Sequence, residues 1–338
     1  MHKLLIGLTL PLMLNGASYS TERHVVDGIP VVTLRDAEHH AEVSIAPSIG
    51  NIAYEFKVNG KNALYFPFTK LSDFKEKPTL CGVPFLAPWA NRLEKPGFTF
   101  QGKNYQVNPD LGNIKFDGNH LPIHGLLSFS PLWEVVESAA DATSAHVTSR
   151  LEFWRHPELM AQFPFAHSIE MTYVLNNGKL QVETAIHNLS AAAMPVSIGY
   201  HPYFNLHDEP RDQWTVHIGA RKHLLLNDKL LATGQSKPME LPDEFTLAGR
   251  VIDDGFYDLS RDANWLAHFS VQGKQEKLEV TFGPKYTVNV TYAPAGKEFI
   301  CFEPMAAMTN ALNSGHALQI LEAGAEWRES FWIQVTGF

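Results

Sequence analysis

Ser168-Ile-Glu-Met-Thr-Tyr-Val-Leu175 and, after Asn176-Asn-Gly178, Lys179-Leu-Gln-Val-Glu-Thr-Ala-Ile-His187 decide the fold. Each run alternates apolar with polar residues, which is the period of a strand with one buried face. The same alternation recurs at His24 to Leu34, Ala41 to Ile45, Ala145 to Trp154 and Trp214 to Ile218. It returns at Trp265 to Val271, Lys277 to Phe282, Tyr286 to Tyr292, Phe299 to Phe302 and Phe331 to Val335, with Gly, Pro, Asn and Asp clusters between the runs. Strongly helical windows are scarce. Asn205 to Gln213 and Asn227 to Glu244 read as surface loops, since strand patterning resumes after each. No fixed-period repeat occurs, which argues against a propeller or solenoid. The expected architecture is all-β, a large antiparallel sandwich.

The bulk properties fit one such unit. Of 338 residues, 45% are apolar and 19% charged, enough apolar material for a large core. Sandwiches and barrels of this length commonly stay in one domain, and no compositional break divides the chain. The net charge is −9 and Lys and Arg form no run, which argues against nucleic acid and anionic lipid as partners. A neutral or weakly polar small molecule suits this balance better than a highly phosphorylated one.

The first twenty residues read as an export signal. Lys3 supplies the positive end, Leu4 to Leu14 the apolar stretch and Ser18-Tyr19-Ser20 a small-x-small cleavage site. Cleavage is expected after Ser20, leaving residues 21–338 as a single catalytic domain in the periplasm or outside the cell. The apolar stretch contains Pro11 and is shorter than the roughly 20 residues a spanning helix needs, so no stable membrane insertion is expected after cleavage. Cys81 and Cys301 are too few for a disulfide scaffold. They either pair or stay as buried free thiols, the second being the commoner state for a small core residue.

Phosphate-loop, dinucleotide, His-Glu-x-x-His and Gly-x-Ser-x-Gly signatures are absent, so the sequence calls for no cofactor. His120 and His124 have the spacing of helical metal ligands, but Pro122 lies between them and speaks against a helix there. What remains is a set of polar residues set into apolar, Pro- and Gly-punctuated segments. These are Asn91-Arg92 after Pro88-Trp-Ala90, His124-Gly125, His201 within Tyr200-His-Pro-Tyr-Phe-Asn205, Asp253-Asp254 before Gly255-Phe256, and Glu303-Pro304 after Phe299-Ile-Cys-Phe302. Taken singly each has a plain reading; Arg92, for instance, has Glu94 nearby as a partner. Ionisable groups at the ends of buried strands need partners or a cleft, and clustering in one cleft is a functional arrangement.

In this order the motifs resemble the aldose 1-epimerase (galactose mutarotase) family, from about His24 to the C-terminus, with Tyr200-His-Pro-Tyr-Phe-Asn205 the most diagnostic. The resemblance implies a galactose mutarotase-like β-supersandwich that holds a sugar on a concave face without a cofactor. By matching motif positions it implies His201 as general acid and Glu303 as general base, with Arg92, His124, Asp253 and Asn91 binding substrate. Asp254 stays open as an alternative to Asp253. Ring opening of a cyclic hemiacetal needs a proton removed from the C1 hydroxyl and one delivered to the ring oxygen, and Glu and His suit those tasks.

The chain departs from the family pattern at Ala323-Gly324-Ala325, where many relatives carry Pro-Gly-Glu, and this leaves Glu303 as the better base. The expected activity is interconversion of the anomers of a free aldohexose such as glucose or galactose. Three alternatives stand beside it: a hexose-phosphate mutarotase, a non-catalytic sugar-binding protein on the same fold, and a glycoside hydrolase using Asp253 and Glu303. The last leaves His201 without a task.

Overall fold

The computed structural model describes residues 18–338 and is built of antiparallel strands. Residues 1–17, and so most of the expected export signal, lie outside the described residues. The two runs that set the expectation form the adjacent strands His167–Asn176 and Lys179–Asn188, paired from His167 with Asn188 to Asn176 with Lys179. Their alternation buries Ile169, Met171, Tyr173 and Leu175 beside Leu180, Val182 and Ile186.

These strands belong to a nine-stranded sheet. Its order is Glu134–Ala140, Ala145–Leu151, His167–Asn176, Lys179–Asn188, Glu326–Thr336, Lys277–Phe282, Ala267–Gln272, Thr215–Ile218, Phe245–Thr246. A second sheet runs Ala232–Pro238, Ala220–Leu226, Ile252–Leu259, Val288–Ala293, Ile300–Met305, Gly199–Tyr200, Phe85–Leu86, with Tyr203–Phe204 also paired to Ile300–Met305. A five-stranded sheet, Tyr19–Val26 to Lys61–Asn62, completes the N-terminal side. One apolar cluster joins all three, drawing Phe256 and Phe302 from the second sheet, Phe269 and Phe331 from the first, and Val43 and Phe56 from the third. Burying each such side chain contributes about 1.5–3 kcal/mol against the entropy of ordering the chain.

Alternation then fixes where the chemistry sits. In the second sheet Ile252, Phe256, Ile300 and Phe302 join the main core, so their sequence neighbours Asp253 and Glu303 lie on the other face. A smaller apolar cluster covers part of that face, including Leu224, Val288, Val290 and Met305.

Several expectations need correction. His24 to Leu34 is not one strand but the hairpin Tyr19–Val26 and Ile29–Asp36, reversed at Asp27-Gly28, where φ is 50° and 80°. Two left-handed residues make the tight turn whose twist matches a hairpin. Ala145 to Trp154 stops as a strand at Leu151, and Phe153–Arg155 is a short 3-10 turn. Asn227 to Glu244 is not all loop, since it holds the strand Ala232–Pro238. This is an edge strand paired on one side only and mostly exposed, so no buried face imposed an alternating pattern. Cys81 and Cys301 are buried free thiols, and burial pushes the Cys81 thiol up to about 12. Among the described residues no helix is long and apolar enough to cross a membrane.

The first strand bears on the expected cleavage point. Tyr19 is 6% exposed and part of the main core, and its hydroxyl accepts a hydrogen bond from the Asn177 N–H at 3.0 Å. A chain starting at residue 21 would lack both features.

Candidate active site

Four segments meet over the second sheet. Ala87 bridges to Gly125 and Trp89 to Ser197, and the Ala90 N–H donates to the Ser197 carbonyl at 2.6 Å. The His124 N–H donates to the Asn91 carbonyl at 2.9 Å, which ties the His124-Gly125 turn to Asn91-Arg92. Gly125 is at φ +63°, and a Cβ there would lie 2.2 Å from the Ala87 carbonyl oxygen, so the motif needs glycine. The His201 and Tyr203 N–H groups donate to the carbonyls of Pro84 and Gly82 at 3.1 and 2.8 Å. Their rings stack at 4.6 Å and 5°, which fixes the imidazole plane. Glu303 pairs across the sheet with Val290, and Asp253 with Tyr292.

The result is a cleft of about 220 Å³ that contains all six expected residues: Asn91, Arg92, His124, His201, Asp253 and Glu303. At its floor His201 Nε2 lies 3.3 Å from Glu303 Oε1. Glu303 is 1% exposed, and its Oε2 has no hydrogen-bond partner among the described residues. The same holds for Nδ1 of His201 and of His124, whose rings meet edge to face at 5.5 Å. A buried polar atom without a partner costs free energy that a ligand hydroxyl would recover.

Arg92 does not pair with Glu94. Its Nε donates to Asp117 Oδ2 at 2.7 Å and its Nη1 to Asn91 Oδ1 at 3.1 Å. Of the two adjacent carboxylates, Asp253 lines the cleft, whereas Asp254 sits 3.0 Å from His223 Nε2.

Sequence reasoning missed Asp117, Tyr203 and Tyr292 as site residues. Asp117 lies in a polar loop with no motif, 25 positions from Arg92. Tyr203 stood inside the diagnostic segment but reads as a core aromatic. Tyr292 shares the alternation that places Val290 over the cleft, and this was the one usable signal.

Burial controls the electrostatics. It pushes Glu303 well above the usual carboxylate range, with the Asp253 charge adding and Arg92 opposing. It pushes His201 down to about 3, with the Arg92 charge adding. His124 is driven well below an ordinary imidazole by burial, then by His201, Arg92 and Lys115. Asp253 is raised by burial, with Arg92 opposing and Asp254 adding. Both members of the His201–Glu303 pair are therefore pushed toward their neutral forms. A carboxylic acid beside a neutral imidazole holds one proton, as would the ion pair, so one proton can serve either residue. Two groups that share a proton at the floor of a cleft, flanked by a guanidinium and a carboxylate, can move protons between two oxygens of one bound polyol.

Comparison with known proteins bears on the family and the fold. The family model for aldose 1-epimerase matches residues 30–334. A curated relative, the uncharacterized protein YihR of Escherichia coli K12, is 28% identical over 251 residues, covering 73% of this chain and 77% of that one. Among solved structures, a galactose mutarotase-like protein from Clostridium acetobutylicum superposes with a TM-score of 0.85 at 22% identity, covering 96% of this chain and 100% of its own. The galactose 1-epimerase of Lactobacillus acidophilus superposes at 0.75 with 13% identity, covering 96% and 100%. Structural likeness at such identities establishes the galactose mutarotase-like fold, and the family model establishes membership. The chain belongs to the aldose 1-epimerase family.

Proposed function

We propose that this protein is an aldose 1-epimerase acting on a free aldohexose such as glucose or galactose, with Glu303 as general base and His201 as general acid. The observation that carries the reading is the 3.3 Å approach of His201 Nε2 to Glu303 Oε1 in a buried pair at the cleft floor. The shared proton first passes from Glu303 to His201, and in the ring-opening half-reaction the Glu303 carboxylate takes the proton of the C1 hydroxyl while the His201 imidazolium delivers its own to the ring oxygen. The C1–O bond becomes a carbonyl and the bond from C1 to the ring oxygen breaks. After rotation about the C1–C2 bond the protons return by the reverse transfers and the other anomer closes. No net proton is gained or lost, so the pair is ready for the next turnover.

Arg92, Asp253, Asn91 and His124 hold the remaining hydroxyls, which keeps the reacting oxygens between the acid and the base. The charge of the lining supports a neutral sugar over a sugar phosphate. Arg92 is the one Lys or Arg among the residues lining the cleft, where it stands with Asp253 and Glu303, and Asp117 and Asn91 already engage it. Optical rotation of freshly dissolved α-D-glucose and α-D-galactose tests the reading. Faster approach to equilibrium than in buffer supports it, and no acceleration with any free aldohexose overturns it.

The pH dependence of kcat/KM follows from the shared proton. Adding a second proton to the free enzyme means charging His201, which burial pushes down to about 3. The acid limb is therefore expected below the ordinary imidazole range of about 6.5. Removing the last proton means ionising Glu303, which burial resists, so the pair keeps its proton above the usual carboxylate range. Rates at a series of pH values check this, and an acid limb at about 6.5 or above contradicts it.

We also propose that the chain is exported to the periplasm and processed before the first strand. The core position of Tyr19 supports a boundary no later than Ser18. N-terminal sequencing of the mature protein from the extracytoplasmic fraction is expected to start at or before Tyr19. A start at Ser20 or beyond overturns that boundary.

A further inference from the structure

Asn310 precedes the short helix Ala311–Ser314 but does not cap it. An Asn at that position ordinarily sits in extended backbone and accepts an N–H of its own helix with its side-chain oxygen. Here the backbone is left-handed, at φ 65° and ψ 20°, and the side chain makes no capping bond. The residue is 6% exposed, and its amide serves a distant turn instead. Asn310 Oδ1 accepts the Glu94 N–H at 3.1 Å, and Nδ2 donates to Glu94 Oε2 at 3.3 Å. The Asn310 N–H donates to the Arg92 carbonyl at 3.0 Å. These bonds clasp both ends of Arg92-Leu-Glu94 from 216 positions along the chain. Asn tolerates the left-handed backbone better than most residues with a side chain, which suits it to this task.

The clasp is rooted in the same stretch of chain as Glu303. Between the two, the Thr287 N–H donates to the Met305 carbonyl at 3.0 Å and the Ala306 N–H to the Ile198 carbonyl at 2.9 Å. Asn313 Nδ2 donates to Asn310 Oδ1 at 3.0 Å and to the Gly97 carbonyl at 3.2 Å, which braces the amide from behind. Thr309, 8% exposed, lines with Arg92 and Asp253 a niche of only about 10 Å³, so the segment is packed closely against the site. Asp117 and Asn91 hold the Arg92 guanidinium, whereas Asn310 holds the main chain from which it extends. Arg92 and Glu303 are thereby joined through one hydrogen-bonded unit.

We propose that Asn310 is a positioning residue, which holds the Asn91–Glu94 turn so that the Arg92 guanidinium meets the sugar hydroxyls in register with Glu303. It touches neither the substrate nor the reacting atoms. The inference rests on the proposed sugar cleft and on Arg92 as a ligand of the hydroxyls. A shift of about 1 Å in such a group costs on the order of 10²-fold, so a clasp on its backbone has a measurable effect.

Glucose anomer exchange, measured by NMR for single and paired variants, tests this. Asn310→Ala is expected to raise KM about tenfold with a smaller loss of kcat. In an Arg92→Ala background the same substitution should add nothing, because its effect passes through Arg92. Asn310→Asp keeps the acceptor for the Glu94 N–H but sets a carboxylate against Glu94 Oε2, so KM should rise again. Adding Glu94→Gln restores a donor to that contact and should return KM to within about twofold of wild type. An unchanged KM, an equal rise in the Arg92→Ala background, or no rescue by Glu94→Gln overturns the proposal. If Asn310→Ala does not fold, Asn310→Asp and its rescue decide alone. If wild type turns over no free aldohexose, the anomerase reading fails on its own, and the Arg92 Nε–H resonance, assigned by its loss in Arg92→Ala, decides this one. Its exchange with solvent should then be about tenfold faster in Asn310→Asp and slow again once Glu94→Gln is added. Equal exchange in wild type and both variants overturns the clasp.

Discussion

Glu303→Gln is expected to lower kcat for anomer interconversion on the order of 10³-fold, with His201→Asn close behind, since each removes a group that acts in both half-reactions. Gln keeps the shape and the hydrogen-bonding reach of Glu but cannot accept the C1 proton. Sugar affinity should therefore survive, and the loss should fall on kcat rather than KM. Stability should not suffer. Burial holds the Glu303 pKa well above the carboxylate range, so at high pH the folded state must either carry a buried proton or bear a buried charge. The folded state binds that proton more tightly than the unfolded state does, so its stabilising contribution is lost as pH rises toward the folded pKa. Gln has no such titration, and its melting temperature should equal or exceed that of wild type at alkaline pH. A variant that is inactive because it has unfolded would show the reverse.

Arg92→Ala should have the second-largest effect, about 10²-fold in kcat/KM, shared between kcat and KM. Two losses combine. The hydroxyls lose the donors that orient the ring, and Asp117 is left buried with its Arg partner gone, its side chain 8% exposed. Burial alone would raise the Asp117 pKa; the Arg92 hydrogen bond and the Leu121 and Asn119 N–H groups outweigh it and hold it low. Asp117→Asn should reproduce part of the defect, because Asn can still accept from Arg92 Nε but no longer balances its charge. Steady-state rates on glucose with circular dichroism as a folding control check both variants. An Arg92→Ala enzyme with wild-type KM and kcat contradicts the orienting role.

What the sequence made legible follows from which forces act locally. Lys277 to Phe282 was read with the bounds it has in the structure, and Lys179 to His187 falls one residue short, because each buries one face and the alternation is clean. The polar edge strand Ala232–Pro238 has no such face, and its pairing with Ala220–Leu226 is backbone hydrogen bonding, to which any side chain is nearly indifferent. The cleft residues were legible because each is a charged or imidazole group set in an apolar run, an arrangement that folding alone does not favour. Asp117 was not, because an acidic residue in a polar loop is ordinary, and only the third dimension brings it to Arg92. Trp265 was assigned to a strand by its apolar character, but its φ of +63° puts it in a turn that faces solvent.

On this mechanism His201 and Glu303 move protons across one sugar ring. The most direct measurement is the exchange rate between the α and β C1 protons of glucose and galactose at equilibrium, read by NMR with wild type and with Glu303→Gln at equal concentration. Magnetisation transfer between anomers with wild type and none above buffer with the variant is the predicted result. Equal transfer with both proteins, or none with either on any free aldohexose, would contradict it.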